Sequence, residues 1–417
     1  MKKLLILAAF AAILLIPSCK NRGRTRIEGL NSVITNERSD SLGLERLDRD
    51  MARFMQQWWI RGLSLSVMRN DSLLYAKGYG WADKEEGKPM TPGTIMRIAS
   101  VSKLLTATGI MKLQEEGKLS LSDKVFGPDG ILCDTVYTRA IKEKAYLKIP
   151  VEQLLRHESG LTVRNGDPMF TTRDIMSANH LKEAPDHETL VKLMLGRRLG
   201  FTPGDYSEYS NFGYLLLSMV IEKVTGMPYE EWMHENVLEP AGCVDMHLAY
   251  NYYKERYPNE SRYYMQDNDP PVPEFNNSGD SVVRCYGGND IRALSGAGAW
   301  VASTPELARF VASIDGRPQV PDIISRKSVR AMTAFSDAHK FGLGWNTVDP
   351  DEGWQRTGSV SGTNAMVMYY PDGECWILVS NSHNWRGPRF SRTVKNFLDQ
   401  CRQRYSAKLP SRDLFEY

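Results

Sequence analysis

The chain has 417 residues and a net charge of +2, from 52 basic and 50 acidic side chains. Its 42% hydrophobic and 24% charged residues are typical of a globular protein, and its 9 Trp and 19 Tyr exclude a disordered or coiled-coil chain. Because the charges nearly balance and no long run of like charge occurs, we expect no nucleic-acid partner.

The first 19 residues have the pattern of an export signal. Lys2 and Lys3 precede an apolar segment, residues 4–16, that is too short to span a bilayer comfortably. The segment ends at Leu15-Ile16-Pro17-Ser18-Cys19, which resembles a bacterial lipobox. This resemblance implies a lipoprotein signal peptide over residues 1–19 and a lipid on Cys19. The protein would then be anchored to a membrane of the bacterial cell envelope, facing the periplasm or the exterior. An ordinary cleaved secretory signal is the alternative.

Residues 20–43 are polar and carry several basic side chains but few large apolar ones. This composition predicts a flexible tether between the lipid and the folded part. We therefore place the folded domain at residues 44–405.

The folded domain is predicted to open with a helix and two strands. Apolar residues recur at helical spacing over residues 44–58. Residues 63–67 read Leu-Ser-Leu-Ser-Val, an alternation that predicts a strand, and a second strand is predicted over 72–79 after a turn at Asn70-Asp71.

The middle of the chain, about residues 104–335, has mostly helical patterns. They include a helix near residues 213–224 and another that begins at Pro228. Residues 250–290 are rich in Tyr, Pro, Asn and Asp without a clear period, which predicts a long loop region.

The C-terminal part mirrors the beginning, with strands predicted over 364–370 and 374–380 and a helix over about 389–403. Strands at both ends with helices between them predict an α+β fold. An antiparallel sheet would be built from the N- and C-terminal strands with flanking helices, and the mostly helical lobe of residues 104–335 would be inserted into it. A cleft between the two lobes is the expected place for a site.

Ser100 and Lys103 form the only Ser-x-x-Lys of the chain, at the predicted start of a helix. Residues three apart on a helix lie side by side. A serine hydroxyl becomes a strong nucleophile when a base takes its proton, and a lysine partly removed from water has the lowered pKa that this requires. The helix N-terminus also offers N–H groups to a developing oxyanion. We predict Ser100 and Lys103 as catalytic residues; a helix cap beside a solvated lysine is the alternative.

Tyr209-Ser210-Asn211 stands in a predicted turn just before an apolar helix. A phenol near a lysine can relay protons, and an amide can hold both a lysine and a substrate carbonyl. We predict that Tyr209 is catalytic and that Asn211 binds substrate. The alternative for Tyr209 is a buried side chain with a hydrogen-bonded hydroxyl.

Arg356-Thr357-Gly358-Ser359 is predicted to lie just before the first C-terminal strand. A glycine there lets the strand edge approach a ligand closely, and its neighbour can offer a backbone N–H. We predict Arg356, Thr357, Gly358 and Ser359 as substrate-binding residues.

These three motifs together resemble the serine β-lactamase and penicillin-recognising superfamily, in particular its class C β-lactamase, D-alanyl-D-alanine carboxypeptidase and esterase branch. The resemblance covers about residues 44–403. It implies that Ser100 forms an acyl-enzyme, and that Lys103 and Tyr209 share the acid–base work without indicating which of them leads. Asn211 would position the substrate amide, and the backbone N–H groups of Ser100 and Ser359 would form an oxyanion hole.

Arg356 departs from the family pattern, which usually has Lys or His at this position. Arginine keeps its charge, and its planar fork suits carboxylates. We hypothesise that Arg356 recognises a substrate carboxylate and does not exchange protons with Tyr209.

The predicted function is that of a serine hydrolase acting on an amide, ester or β-lactam carbonyl of a small-molecule or peptide substrate. A D-alanyl peptidase or an esterase is favoured over an efficient β-lactamase because of Arg356. The alternatives are a non-catalytic protein that binds peptides or cell-wall fragments in the same cleft, and a purely structural lipoprotein. The seven histidines form no close ligand set in the sequence, so we expect no metal site and no cofactor.

Overall fold

The computed structural model describes residues 29–40, 44–164 and 166–416. Its larger sheet joins strands from both ends of the chain, as predicted. The strands are β1 (Gly62–Arg69), β2 (Ser72–Asp83), β3 (Lys88–Pro89), β4 (Met96–Arg97), β5 (His247–Leu248), β6 (Val272–Pro273), β7 (Ser281–Val282), β8 (Trp300–Ala302), β9 (Thr347–Asp349), β10 (Gly353–Val360), β11 (Thr363–Tyr369) and β12 (Glu374–Ser380).

Seven of these strands form the antiparallel sheet β3-β2-β1-β12-β11-β10-β9. The N-terminal hairpin β1–β2 therefore pairs directly with the C-terminal hairpin β11–β12. The predicted α+β class, with an antiparallel sheet built from both ends of the chain, is confirmed.

Helices flank the sheet and build the inserted lobe. They are α1 (Leu30–Val33), α2 (Glu45–Trp58), α3 (Ser102–Glu115), α4 (Thr135–Ala140), α5 (Val151–Leu155), α6 (Thr172–Ala178), α7 (His187–Leu195), α8 (Asn211–Thr225), α9 (Tyr229–Met233), α10 (Thr304–Ala312), α11 (Arg326–Met332) and α12 (Phe390–Tyr405). The lobe also contains a small sheet, β4-β8-β5, which the sequence did not predict.

The alternating sequence of β1 explains how the sheet is covered on both faces. Leu63, Leu65 and Val67 are buried in the cluster formed with α2 and α12. Burying each of these side chains stabilises the fold by about 1.5–3 kcal/mol. The hydroxyls of Ser64 and Ser66 face the other way, and both bond to the Thr304 hydroxyl of α10, at 2.8 and 2.9 Å. The polar face of this strand is therefore satisfied by a helix.

The predicted tether over residues 20–43 is wrong for residues 29–40. Leu30 and Ile34 are buried, and the Ser39 hydroxyl bonds to both the backbone N–H and the carbonyl of Ala76 in β2. This segment is held by hydrogen bonds to the backbone of a neighbouring strand, so it needs no apolar periodicity of its own. The folded part also continues past residue 405, since Leu414 is buried.

Residues 1–28 and 41–43 lie outside the described part of the chain. The predicted signal peptide and the predicted lipidation of Cys19 therefore concern residues on which the structure gives no information. Within the described ranges, none of the helices combines the length and the apolar character needed to cross a bilayer.

The motif of Arg356, Thr357, Gly358 and Ser359 lies inside β10, not before the first C-terminal strand as predicted. Arg356 and Gly358 are buried and alternate with partly exposed neighbours. The sequence Gln-Arg-Thr-Gly-Ser has no apolar alternation. This strand therefore gave no strand signal, although β11 and β9 pair with it on either side.

Candidate active site

Ser100 lies on a short helical turn, Ala99–Val101, that connects β4 to α3. Ala99 has a φ of +47°, a left-handed conformation that is unfavourable for a residue with a side chain. The strained turn places Ser100 two residues before Ser102, the first residue of α3. There the helix dipole and unpaired N–H groups favour negative charge on the substrate.

Lys103 is fully buried beside Ser100 and makes three hydrogen bonds to neutral oxygen atoms. Its Nζ donates to Ser100 Oγ at 3.3 Å, to Asn211 Oδ1 at 2.7 Å and to the Ala297 carbonyl at 2.5 Å. Burial lowers the pKa of Lys103 to about 8, and the positive charge of Arg356 acts in the same direction. A fraction of this lysine is therefore neutral near physiological pH, as a proton acceptor must be.

Tyr209 approaches the same hydroxyl from the other lobe. Its OH donates to Ser100 Oγ at 2.8 Å, and Lys103 Nζ lies 4.8 Å from the centre of the phenol ring. Burial by itself raises the pKa of Tyr209, but the positive charges of Lys103 and Arg356 outweigh burial and lower it. The charges of Lys103 and Arg356 thus stabilise the phenolate form of Tyr209, and a phenolate at this position can accept the serine proton.

Arg356 is also fully buried and is turned into the site by β10. Its Nε donates to the Ser100 carbonyl at 2.7 Å, and its Nη2 donates to the Tyr209 hydroxyl at 3.1 Å. Nη1 is buried without a hydrogen-bond partner among the described residues. The structure thus gives Arg356 contacts with Ser100 and Tyr209, the predicted catalytic residues, that the sequence did not predict. Its recognition of a substrate carboxylate stays a prediction.

Gly358 brings β10 against the serine turn. A Cβ at this position would lie 2.2 Å from the carbonyl oxygen of Ile98 and 3.0 Å from the backbone nitrogen of Ser100. Only a residue without a side chain permits this approach. The backbone N–H and the hydroxyl of Thr357 donate to Asn346 Oδ1, at 2.8 and 3.2 Å, which holds the strand in place. Ser359 is the next residue of β10 after Gly358, and an oxyanion hole shared by Ser100 and Ser359 stays a prediction.

Asn211 links the lysine to a carboxylate that the sequence did not single out. It is the first residue of α8, where the Ser210 hydroxyl caps the helix by accepting from the Gly213 N–H. Its Oδ1 accepts from Lys103, and its Nδ2 donates to Asp167 Oδ2 at 2.7 Å. Asp167 lies in an irregular segment, and no motif or periodicity marks it in the sequence.

His157 supports Tyr209 from behind. The two rings are 4.5 Å apart, and His157 Nδ1 accepts from the Ser210 N–H at 3.2 Å. Burial, together with the charges of Lys103 and Arg356, holds the pKa of His157 well below its usual value. It is therefore a neutral acceptor that orients the Tyr209–Asn211 segment.

The structure brings predicted site residues together where β10, the serine turn and the start of α8 meet. Ser100, Lys103, Tyr209, Asn211 and Arg356 are linked by hydrogen bonds. Thr357, Gly358 and Ser359 follow Arg356 in β10. The structure adds the Ala297 carbonyl and Asp167, which the sequence analysis did not predict as site residues. Ala297 falls in a Gly-Ala-Gly stretch in which Ser295 has a φ of +42°. The Gly-Ala-Gly stretch is the one feature of the sequence that is typical of a close backbone approach at Ala297.

A serine placed between a buried lysine and a partly buried tyrosine, at the junction of an antiparallel sheet and a helical lobe, defines a serine hydrolase fold of the β-lactamase and transpeptidase type. The model of the Beta-lactamase family matches residues 47–398. The chain belongs to this family.

Curated relatives agree with this assignment. The chain is 25% identical over 346 residues to the putative penicillin-binding protein PbpX of Bacillus subtilis, covering 82% of this chain and 76% of that protein. It is 28% identical over 239 residues to Protein flp of Staphylococcus aureus, covering 56% of this chain. That match spans 44% of the length of Protein flp, so less than half of that relative is compared.

Solved structures share the fold. A D-amino acid amidase from Ochrobactrum anthropi SV3, complexed with L-phenylalanine amide, superposes with a TM-score of 0.63 at 23% identity, covering 87% of this chain and 96% of the amidase. An octameric penicillin-binding protein homologue from Pyrococcus abyssi gives a TM-score of 0.61 at 23% identity, covering 86% and 78%.

Proposed function

We propose that the protein is a serine hydrolase that forms an acyl-enzyme on Ser100. The observation that carries the proposal is the position of Ser100 Oγ, which lies 2.8 Å from the Tyr209 hydroxyl and 3.3 Å from Lys103 Nζ. A nucleophile within hydrogen-bond reach of two groups with lowered pKa values is the arrangement that activates a hydroxyl.

In the proposed reaction, Tyr209 in its phenolate form takes the proton of Ser100, because it is the nearer of the two groups. Ser100 Oγ then attacks the substrate carbonyl, and the negative charge moves onto the carbonyl oxygen. The backbone N–H groups of Ser100 and Ser359 stabilise that oxyanion. When the tetrahedral intermediate collapses, Tyr209 returns the proton to the leaving group. A water molecule then attacks the acyl-enzyme ester by the same steps, which releases the acid product and regenerates the Ser100 hydroxyl.

The proposed substrates are amides or esters of small molecules or peptides, with D-alanyl peptides and D-amino-acid derivatives as the first to test. Two similarities support this choice: the likeness to a putative penicillin-binding protein and the fold shared with a D-amino acid amidase. Efficient β-lactam hydrolysis is disfavoured because Arg356 replaces the usual Lys or His beside Tyr209.

Intact mass spectrometry after brief exposure to a penicillin tests the proposal. We expect a penicilloyl adduct on the wild-type chain and none on Ser100→Ala. Ser102→Ala is the matched control. Ser102 lies two residues from Ser100 and is buried, and its hydroxyl accepts a hydrogen bond from the backbone N–H of Trp300. That variant should keep the adduct.

Substrate turnover gives the second half of the test. A chain that neither forms an adduct nor hydrolyses any ester, amide or β-lactam in a panel would contradict the enzyme proposal. It would favour a non-catalytic protein that binds peptides or cell-wall fragments in this cleft. In that case Ser100→Ala should leave the affinity for those fragments unchanged.

We also propose that Cys19 is lipidated and anchors the protein to the cell envelope, on the strength of the lipobox-like sequence alone. Expression of Cys19→Ser beside the wild type tests this. The wild-type chain should fractionate with membranes and carry a lipid mass, whereas the variant should be released from them. Equal release of both would contradict the proposal.

A further inference from the structure

A cluster of metal-ligating side chains lies in the helical lobe, among residues that the proposed reaction does not use. Glu230, His234 and His247 each offer a ligand atom, and these atoms lie within 4.8 Å of one another. Glu230 and His234 are four residues apart on the continuous helical segment formed by α9 and the following turn, His234–Leu238. His247 comes from β5. The histidines form no close ligand set in the sequence, but the fold brings two of them together with a glutamate.

Both imidazoles are oriented by a hydrogen bond through one ring nitrogen. His247 Nε2 lies 3.1 Å from Asp245 Oδ1. Asp245 is fixed in turn by Asn31 and Asn259, whose amides both donate to its Oδ2 at 2.7 Å. His234 is hydrogen-bonded to the backbone of Met246. A hydrogen bond through one ring nitrogen leaves the other able to bind a ligand, and carboxylate or carbonyl partners of this kind typically orient metal-binding histidines.

The charged side chains around the cluster sum to a net negative charge, which favours a bound cation. Glu230 Oε1 accepts from the Leu248 N–H at 2.7 Å, and Oε2 accepts from Arg292 Nη2 at 3.1 Å. A carboxylate has about four lone-pair sites, so both oxygens retain capacity. Glu230 and Asp245 together carry two negative charges against the single positive charge of Arg292.

We propose that Glu230, His234 and His247 bind a divalent first-row transition-metal ion, with Zn²⁺ as the test ion. Two imidazoles and one carboxylate are a ligand set that Zn²⁺ accepts, with a remaining position for water. Bonds of about 2.0–2.2 Å require the ligand atoms to approach one another by roughly 1 Å or more. Rotation of the partly exposed His247 and Glu230 side chains would supply this movement.

The bound ion would join α9 to β5 and brace one wall of the lobe. β5 pairs with β8, where His247 faces Val301, and the Trp300 ring lies 5.9 Å from the His234 ring. Trp300 also donates to the Tyr229 hydroxyl at 3.1 Å. An ion held at both elements binds the folded state in preference to the unfolded one, so it stabilises the fold.

Metal uptake by the purified chain tests the proposal. The chain is stripped with EDTA, dialysed, and titrated with ZnCl₂, and elemental analysis and thermal unfolding are measured on the same samples. We expect one Zn²⁺ per chain and a melting temperature several degrees higher with Zn²⁺ than with EDTA. His234→Gln and His247→Asn should lose both effects. His180→Asn, which removes an exposed imidazole outside the cluster, should keep both.

The melting temperature of each variant in EDTA shows whether it is folded, so that loss of binding is separated from loss of structure. Ser100→Ala should bind Zn²⁺ like the wild type, which keeps this inference independent of the proposed reaction. No uptake by a folded wild-type chain, or equal uptake by His234→Gln and His247→Asn, would overturn the proposal.

Discussion

Arg356 Nη2 lies 3.1 Å from the Tyr209 hydroxyl, while Nε of the same guanidinium holds the Ser100 carbonyl at 2.7 Å. One buried cation thus contacts both the proposed base and the turn that carries the nucleophile. Its charge lowers the pKa of Tyr209 and also that of Lys103. This relationship makes the role of Arg356 testable through the pH dependence of the reaction.

Removing the charge of Arg356 should shift the activity profile to higher pH. In Arg356→Gln the pKa values of Tyr209 and Lys103 both rise. The acidic limb of kcat/KM therefore moves to higher pH, whichever of the two residues is the base. We expect kcat/KM at neutral pH to fall by about 10–100-fold. Arg356→Lys keeps a charge and should stay nearer to the wild-type profile. A profile in Arg356→Gln identical to that of the wild type would contradict this assignment.

The same two variants also test the carboxylate hypothesis. If Arg356 recognises a substrate carboxylate, Arg356→Gln should raise KM for acidic substrates more than for otherwise identical neutral ones. Equal changes in KM for both substrate types would rule out that recognition and leave the effect on pKa standing.

Replacing Asp167 should move the profile in the opposite direction. The charge of Asp167 raises the pKa of Lys103, so Asp167→Asn lowers that pKa further. Where Lys103 accepts the serine proton, the acidic limb of kcat/KM therefore moves to lower pH. The amide can still accept the hydrogen bond from Asn211, which preserves the geometry. Rate profiles of Asp167→Asn and Arg356→Gln measured side by side would refute this electrostatic account if both moved in the same direction.

Tyr209→Phe should slow acylation by about 10²–10⁴-fold, because the aromatic ring stays packed on His157 while the hydroxyl that accepts the proton is lost. Lys103→Met should acylate faster than Tyr209→Phe at high pH, because Tyr209 ionises there without the help of the lysine charge. Single-turnover measurements across the pH range check both variants. Faster acylation in Tyr209→Phe than in Lys103→Met at high pH would identify Lys103 as the leading base.

Gly358→Ala should damage the site through sterics alone. The new Cβ would lie 2.2 Å from the Ile98 carbonyl oxygen, so β10 must move away from the serine turn. We expect kcat to fall by about 10²-fold as the oxyanion hole opens. Gly213→Ala in α8 is the control, because its Cβ would meet neighbours at 3.7 Å, an ordinary contact. Comparable losses of activity in both variants would contradict the steric explanation.

His157 should make the folded state sensitive to acid. Its pKa in the fold is well below its value in the unfolded chain, so the unfolded state binds more protons as the pH falls below about 6.5. Stability from the neutral ring is therefore fully present above that pH and declines below it. His157→Asn should flatten the dependence of the melting temperature on pH in this range. An unchanged dependence would show that other groups control it.

Three short motifs named residues that the structure brings together, because each motif works locally. Ser100 and Lys103 are neighbours through helix geometry alone, and Tyr209 and Asn211 share one helix start. The sequence predicted strands where apolar and polar residues alternate strictly, as in β1. It did not predict β10, because the polar residues of that strand face the site and not water. The packed segment 29–40 was missed because its hydrogen bonds reach β2 across the chain.

The sequence by itself determined the chemistry of the side chains and the order of the elements, because hydrophobic period and local spacing are properties of short segments. Tertiary structure decided which distant groups meet: Arg356 with Tyr209, Asp167 with Asn211, and His247 with His234. These pairs depend on contacts between lobes and between elements far apart in the chain. Burial at those contacts, which no short segment encodes, is also what lowers the pKa of Lys103 to about 8.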